Sequence, residues 1–286
     1  MKPQLGLFVY IIMAHDFIIT GIPRSGTSLL CYLLNSCPNT IALNEPTNHI
    51  LHQVQDILDR EEIIAALRMF FISSRENLLC HRAAVSKNYQ GIIPDNLYSH
   101  KCNKNRERRQ LPITIDFVQF NKHLSENFTL CIKDTLVFTA LLPELSQVMP
   151  CFALIRNPLA ILASWHDIDI PLGKEYFGTY AELDTSLIHL LNQANTVLKR
   201  QLIILSWFYK QYLQHLSPEQ IIRYEDLVSH PSKVAIKFNS HLSDKKLTSY
   251  NNNYSKTSLK MLAPYLLHND GYYWEYYSED DILSLL

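Results

Sequence analysis

The sequence predicts an α/β fold, a mostly parallel sheet covered by helices on both faces. Three observations carry this expectation. Short β-rich apolar runs alternate with helical patterns along much of the 286 residues, the signature of crossover connections between parallel strands. The first run opens into a turn-like stretch, Gly21–Gly26, and then into a helix that is apolar on most faces. Glycine is scarce, 7 in the whole chain, and two of the seven flank that loop, where backbone must turn or come close to a ligand.

The elements follow in order. His15–Thr20 (HDFIIT) reads as a strand and Thr27–Leu34 (TSLLCYLL) as a buried helix. Thr40–Leu43 is a short second strand that ends at Asn44-Glu45-Pro46. From Thr47 to about Phe71 the pattern is helical, with Ile50, Val54, Ile57 and Leu58 on one face. Residues 76–112 are polar and aperiodic and read as an inserted loop or lid. That stretch carries Lys101, Lys104, Arg106, Arg108 and Arg109, a cluster that fits either a solvated surface or an anionic substrate. Phe128–Lys133 is a strand, Leu136–Val148 a helix, Cys151–Ile155 a buried strand and Pro158–Trp165 a helix. A helical stretch covers about 181–215, Gln220–Arg223 is a short strand, and Tyr224–Val228 starts another helix.

The composition bounds the rest. With 47% apolar and 19% charged residues the chain is globular. Its length suits one domain, expected to have a core over about 15–240 and a helical, aromatic-rich segment from 241 to 286. Lys+Arg is 26 and Asp+Glu 27. A non-specific coat for nucleic acid or anionic membrane needs a large positive excess, so any bound anion must be held by a few placed groups. The six cysteines form no C-x-x-C, and Cys31, Cys131 and Cys151 lie in apolar runs, which predicts a reducing, cytoplasmic setting. Gly6–Ala14 is apolar over nine residues, too short to span a bilayer, and Met13 is an alternative start. His49 with His52, and Cys80-His81 with Cys102, lack metal-site spacing.

Gly21-Ile22-Pro23-Arg24-Ser25-Gly26-Thr27-Ser28 fits the phosphate-loop pattern G-x-x-x-x-G-K-[S/T] except that Thr27 stands in the lysine slot. A loop between strand and helix N-terminus offers unpaired N–H groups and the positive end of the helix dipole. Thr27 and Ser28 add hydroxyls, and Arg24 adds a permanent planar charge. Phosphoryl transfer uses Mg²⁺ and a lysine to share a high charge; a sulfuryl group asks for less.

PRSGTSLL at 23–30 resembles the 5′-phosphosulfate loop of sulfotransferases that use 3′-phosphoadenosine 5′-phosphosulfate (PAPS). CFALIRNPLAILASW at 151–165 resembles a second motif of that family: an arginine after a strand, a turn, and a serine eight residues on. The resemblance implies that Arg156 and Ser164 hold the 3′-phosphate. Asn157 and Pro158 suit the N-cap and first position of the helix between them. Tyr224-Glu225-Asp226 resembles a third, which places Tyr224 near the adenine; alternatively Glu225 and Asp226 are simple N-terminal helix charges.

The family implies a P-loop NTPase-like parallel sheet, PAPS as cosubstrate with PAP as product, and no required metal. Arg24, Ser25, Gly26, Thr27 and Ser28 would hold the sulfate end, so that Arg24 and Arg156 grip opposite ends of the nucleotide. Arg24 and Lys133 are expected to stabilise charge at sulfur. Many soluble members carry Lys-Thr-His where this chain has Lys133-Asp134-Thr135, so the usual histidine base does not transfer. Glu45 resembles the base of the carbohydrate and tyrosyl-protein branches, with Asp134 as the second candidate. The acceptor is a hydroxyl or amine, with the basic stretch hinting at a glycan or lipid headgroup. The rival readings are a nucleotide-dependent kinase, with Asp134 on Mg²⁺, and a non-catalytic PAP-binding relative.

Overall fold

The computed structural model describes residues 15–47, 59–102, 108–168, 184–242, 247 and 254–286. Its centre is a five-stranded sheet of β1 (Phe17–Gly21), β2 (Thr40–Asn44), β7 (Thr129–Lys133), β8 (Cys151–Ile155) and β9 (Ile221–Arg223), in spatial order β2-β7-β1-β8-β9. Every pairing in it is parallel. All five residues of β1 and of β2 are buried, which explains why FIITG and TIALN show no polar–apolar alternation: both faces are covered.

Helices flank the sheet: α1 (Thr27–Leu34), α2 (Arg60–His81), α3 (Leu136–Ala140), α4 (Leu142–Leu145), α5 (Pro158–Ile168), α6 (Thr185–Asn192), α7 (Val197–His215), α8 (Tyr224–Ser229), α9 (Pro231–Ile236), α10 (Lys256–Leu267) and α11 (Glu279–Leu283). Two expected helices are each broken in two. Pro143 falls at the start of α4 and separates it from α3, because proline tolerates only a first turn. Thr196 accepts a hydrogen bond from Lys199 N and starts α7 afresh after α6.

Residues 76–112, expected as an inserted loop, are instead largely structured. α2 runs on to His81, and β3 (Ala83–Asn88) pairs antiparallel with β6 (Thr114–Gln119). β4 (Tyr98–Cys102) pairs with β5 (Arg108–Gln110). The polar sequence misled because these strands are short, and β6 is mostly exposed. Residues 103–107, and with them Lys104 and Arg106, lie outside the described residues, as do His49 and His52, the stretch around Ile50–Leu58 and the N-terminal 1–14. The side chains of Lys101, Arg108 and Arg109 are likewise outside them.

β2 is an edge strand, and side chains cover its edge. Asn35 donates to Ala42 O at 2.7 Å and accepts from Ala42 N at 3.0 Å. Lys122 Nζ donates to Thr40 O at 2.7 Å, and Asn44 N donates to Ser86 Oγ at 2.9 Å. The last bond joins β3 to the end of β2. At the opposite end of the sheet Asp16 is buried in an ion pair with Arg75.

The C-terminal aromatics close over the core. Tyr273 and Tyr277 are buried, and their rings stand 6.2 and 6.3 Å from that of Tyr209 in α7. Trp207, Phe208, Tyr209 and Tyr212 of α7 are core. Cys31, Cys131 and Cys151 are buried too, and burial pushes the thiols of Cys31 and Cys151 up to about 12. No described helix is long and apolar enough to cross a membrane.

Candidate active site

The parallel sheet brings the C-terminal ends of its strands to one edge, where ligands of open α/β sheets bind. Gly21 ends β1, Asn44 ends β2, Lys133 ends β7, Arg156 follows β8 and Tyr224 follows β9. Each is adjacent to, or is, a residue singled out from sequence.

The loop after β1 is held by its neighbours. Gly21 needs its lack of a side chain, because a Cβ there would stand 2.7 Å from Leu154 O. Arg24 is left-handed at φ 79 and Gly26 at φ 96, and a left-handed non-glycine residue persists only where the surroundings impose it. Here Trp165 Nε1 donates to Pro23 O at 3.0 Å and Arg156 Nη1 donates to Arg24 O at 2.9 Å. Both carbonyls are thereby drawn towards α5 and its preceding turn. The first turn of α1 faces a small open cleft lined by Arg24, Gly26, Thr27, Ser28, Arg156 and Tyr224, together with Leu29, Asp95 and Asn96. The first N–H groups of a helix have no intrahelical partner, so this cleft offers donors and a positive dipole end. Ser25 Oγ is buried beneath the loop and has no hydrogen-bond partner among the described residues.

Both arginines line this cleft. Arg24 Nε donates to Ser164 Oγ at 3.1 Å, and Arg24 Nη1 donates to Asn96 Oδ1 at 3.1 Å. Ser164 is thus brought to Arg24, because a turn and two helical turns carry it back over the loop. Arg156 is buried, with its guanidinium 4.1 Å from the Tyr224 ring centroid. Tyr224 is also packed against Gly26 and is only 1% exposed. Its ring lines the cleft and lies against Arg156.

Asn157 caps α5 as its position suggested, accepting from Leu159 N at 2.9 Å. Glu225 does more than charge a helix N-terminus. It accepts from Asn157 N at 3.0 Å and from Tyr277 OH at 3.0 Å, tying the Arg156 turn to the C-terminal segment.

Glu45 and Lys133 are brought together in a second, adjoining group. Glu45 sits just past β2 at φ 43, with its N–H donating to Lys133 O at 2.7 Å. One carboxylate oxygen binds Lys133 Nζ and the other binds Lys87 Nζ. Burial alone would raise the carboxyl, but the two ammonium groups outweigh it and hold it down at about 2. Asp134 goes the other way: burial and the Glu45 charge raise it to about 6. Its oxygens are engaged, one by Leu136 N at 3.1 Å and Val137 N at 3.0 Å, the other by the Thr47 hydroxyl. It caps α3.

Neither Glu45 nor Lys133 lines the Arg24 cleft; Tyr98 bridges the two groups. Its ring lies 4.8 Å from the Arg24 guanidinium carbon and feels the charges of both Arg24 and Lys87. Sequence reasoning missed Lys87, Asn96 and Tyr98. All three come from the stretch that read as a loop, and only the alternation in Ala83–Asn88 (AAVSKN) could have pointed to a strand carrying Lys87. No family model matches the chain, and no curated protein matches it. What stands on structure is the class: an α/β protein with a five-stranded parallel sheet and a cationic cleft at its strand ends.

Proposed function

We propose that the chain is a sulfotransferase moving a sulfuryl group from PAPS to a hydroxyl or amine, such as that of a glycan or lipid headgroup. One observation carries the reading: a glycine-flanked loop without a lysine converges with Arg156 on one cleft, and Ser164 fixes Arg24 from behind. The donor set fits phosphate and sulfate groups, with two guanidinium forks, the hydroxyls of Thr27 and Ser28, and the unpartnered Ser25 hydroxyl beneath the loop. PAPS would supply the sulfuryl group, its bond from sulfur to the 5′-phosphate oxygen breaking as the bond to the acceptor oxygen forms, with the electron pair leaving on the phosphate.

The chain's own residues would meet the three needs of that reaction. The first turn of α1 and Arg24, which Ser164 fixes, hold the sulfate end, while Arg156 holds the 3′-phosphate. Arg24 and Lys133 stabilise charge at the equatorial oxygens. Glu45 takes the acceptor proton on a carboxylate oxygen. A kinase would ask Asp134 to ligate Mg²⁺ and would want a lysine where the loop has Thr27.

A thermal-shift series tests the reading. PAP without Mg²⁺ is expected to raise the melting temperature, by about RT ln(1 + [L]/Kd) in free energy; stabilisation by ATP with Mg²⁺ and none by PAP would transfer the protein to the kinases. Glu45→Gln is expected to keep PAP binding and lose turnover by about 10²–10⁴-fold. Normal turnover of that variant removes Glu45 as the base, and PAP binding with no turnover by the unmodified protein on any acceptor would mark a non-catalytic relative.

A further inference from the structure

We propose that Lys87 is a positioning residue that holds the outer oxygen of Glu45 and governs when that carboxylate can take a proton. The inference rests on the reading of Glu45 as the base. The two lysines on Glu45 are not equivalent. Lys133 belongs to the central sheet and its side chain is 1% exposed. Lys87 belongs to β3, in the separate antiparallel pair, and its side chain is 21% exposed. Lys133 is the buried inner partner and Lys87 the more exposed outer one, carried on β3, which the Asn44 N–Ser86 Oγ bond ties to the end of β2.

The groups facing Glu45 among the described residues come from several elements. They are Lys133 and Asp134 from β7 and the turn after it, Lys87 from β3, Tyr98 from β4 and Cys31 from α1. Burial raises the Tyr98 phenol and the Cys31 thiol, so both are neutral near pH 7. The charges acting on Glu45 are then two lysines and one carboxyl. With both lysines in place the carboxylate is ionised but a weak base. With Lys87 withdrawn it keeps one cation, frees one oxygen for an incoming hydroxyl, and becomes more basic. Tyr98 lies between Lys87 and Arg24, so occupancy of the donor loop and the hold on Glu45 share one neighbour.

The experiment is a carbon-13 NMR titration of the Glu45 carboxyl in the full chain, for the unmodified protein, Lys87→Met, Lys87→Gln and Lys87→Arg. In the unmodified protein the carboxyl is expected to stay ionised to the lowest pH at which the fold persists. Lys87→Met and Lys87→Gln should move its titration up by about one pH unit or more, while Lys87→Arg leaves it in place. A base loses activity as pH falls through its pKa, so the acid limb of turnover should move up in the same two variants. A folded Lys87→Met or Lys87→Gln protein that titrates like the unmodified one overturns the proposal, as does an equal shift in Lys87→Arg. PAP calorimetry on the same samples separates the two questions: absent PAP uptake sinks the sulfotransferase reading, while the titration still decides Lys87.

Discussion

Arg156→Ala is expected to weaken PAP binding by about 10²–10³-fold. Arg156 is 3% exposed, and removing one partner from a buried charged contact costs about 3–5 kcal/mol, where each 1.4 kcal/mol is about tenfold in affinity. Two losses coincide. The cleft loses a cation, and Arg24 O loses the donor that keeps Arg24 in its left-handed turn. Arg156→Lys keeps the charge but not the planar fork that stacks on Tyr224, so an intermediate affinity is expected. Calorimetry with PAP reads all three proteins. An unchanged dissociation constant for folded Arg156→Ala would remove the nucleotide from this cleft.

Gly26→Ala is the second, and its effect is on stability. The backbone there has φ 96, and a Cβ would stand 2.6 Å from Tyr224 Cδ2 and 3.1 Å from Cε2. Tyr224 cannot step aside, because it is 1% exposed and lies under the Arg156 guanidinium. Left-handed strain adds about 1 kcal/mol and overpacking about 1–3 kcal/mol. Urea denaturation should therefore register a loss of about 2–4 kcal/mol. Gly91→Ala is the control: it also has positive φ, at 78, but nothing lies within 4 Å of its Cβ position, so only the backbone strain of about 1 kcal/mol applies. Equal losses at the two sites would mean that Tyr224 does not brace the loop.

The parts of the fold that were legible are those where burial and chain punctuation agree. Thr27–Leu34 and Cys151–Ile155 have the boundaries read from their apolar runs, and Asn157-Pro158 announces α5 by capping chemistry that needs no tertiary partner. β3 to β6 were not legible, because short strands carry little periodic signal and the pairing of β3 with β6 is decided by neighbours far along the chain. The same holds for the site. Its arginines, hydroxyls and Glu45 follow from local motifs, and all lie at strand ends. Their mutual arrangement does not: nothing local to Arg24 or Arg156 reveals that Ser164 binds the former, or that Lys87 reaches Glu45 from another sheet.

The Arg156 turn is fastened from far downstream. Asn157 Nδ2 donates to Asp281 O at 2.7 Å, across 124 residues, and Tyr277 OH holds the Glu225 that accepts from Asn157 N. On the ribosome, then, the nascent sheet can pair strand by strand while its cationic mouth stays unfinished. The Arg156 turn gains its last fastenings only when the segment around Tyr277 and Asp281 has folded back onto it.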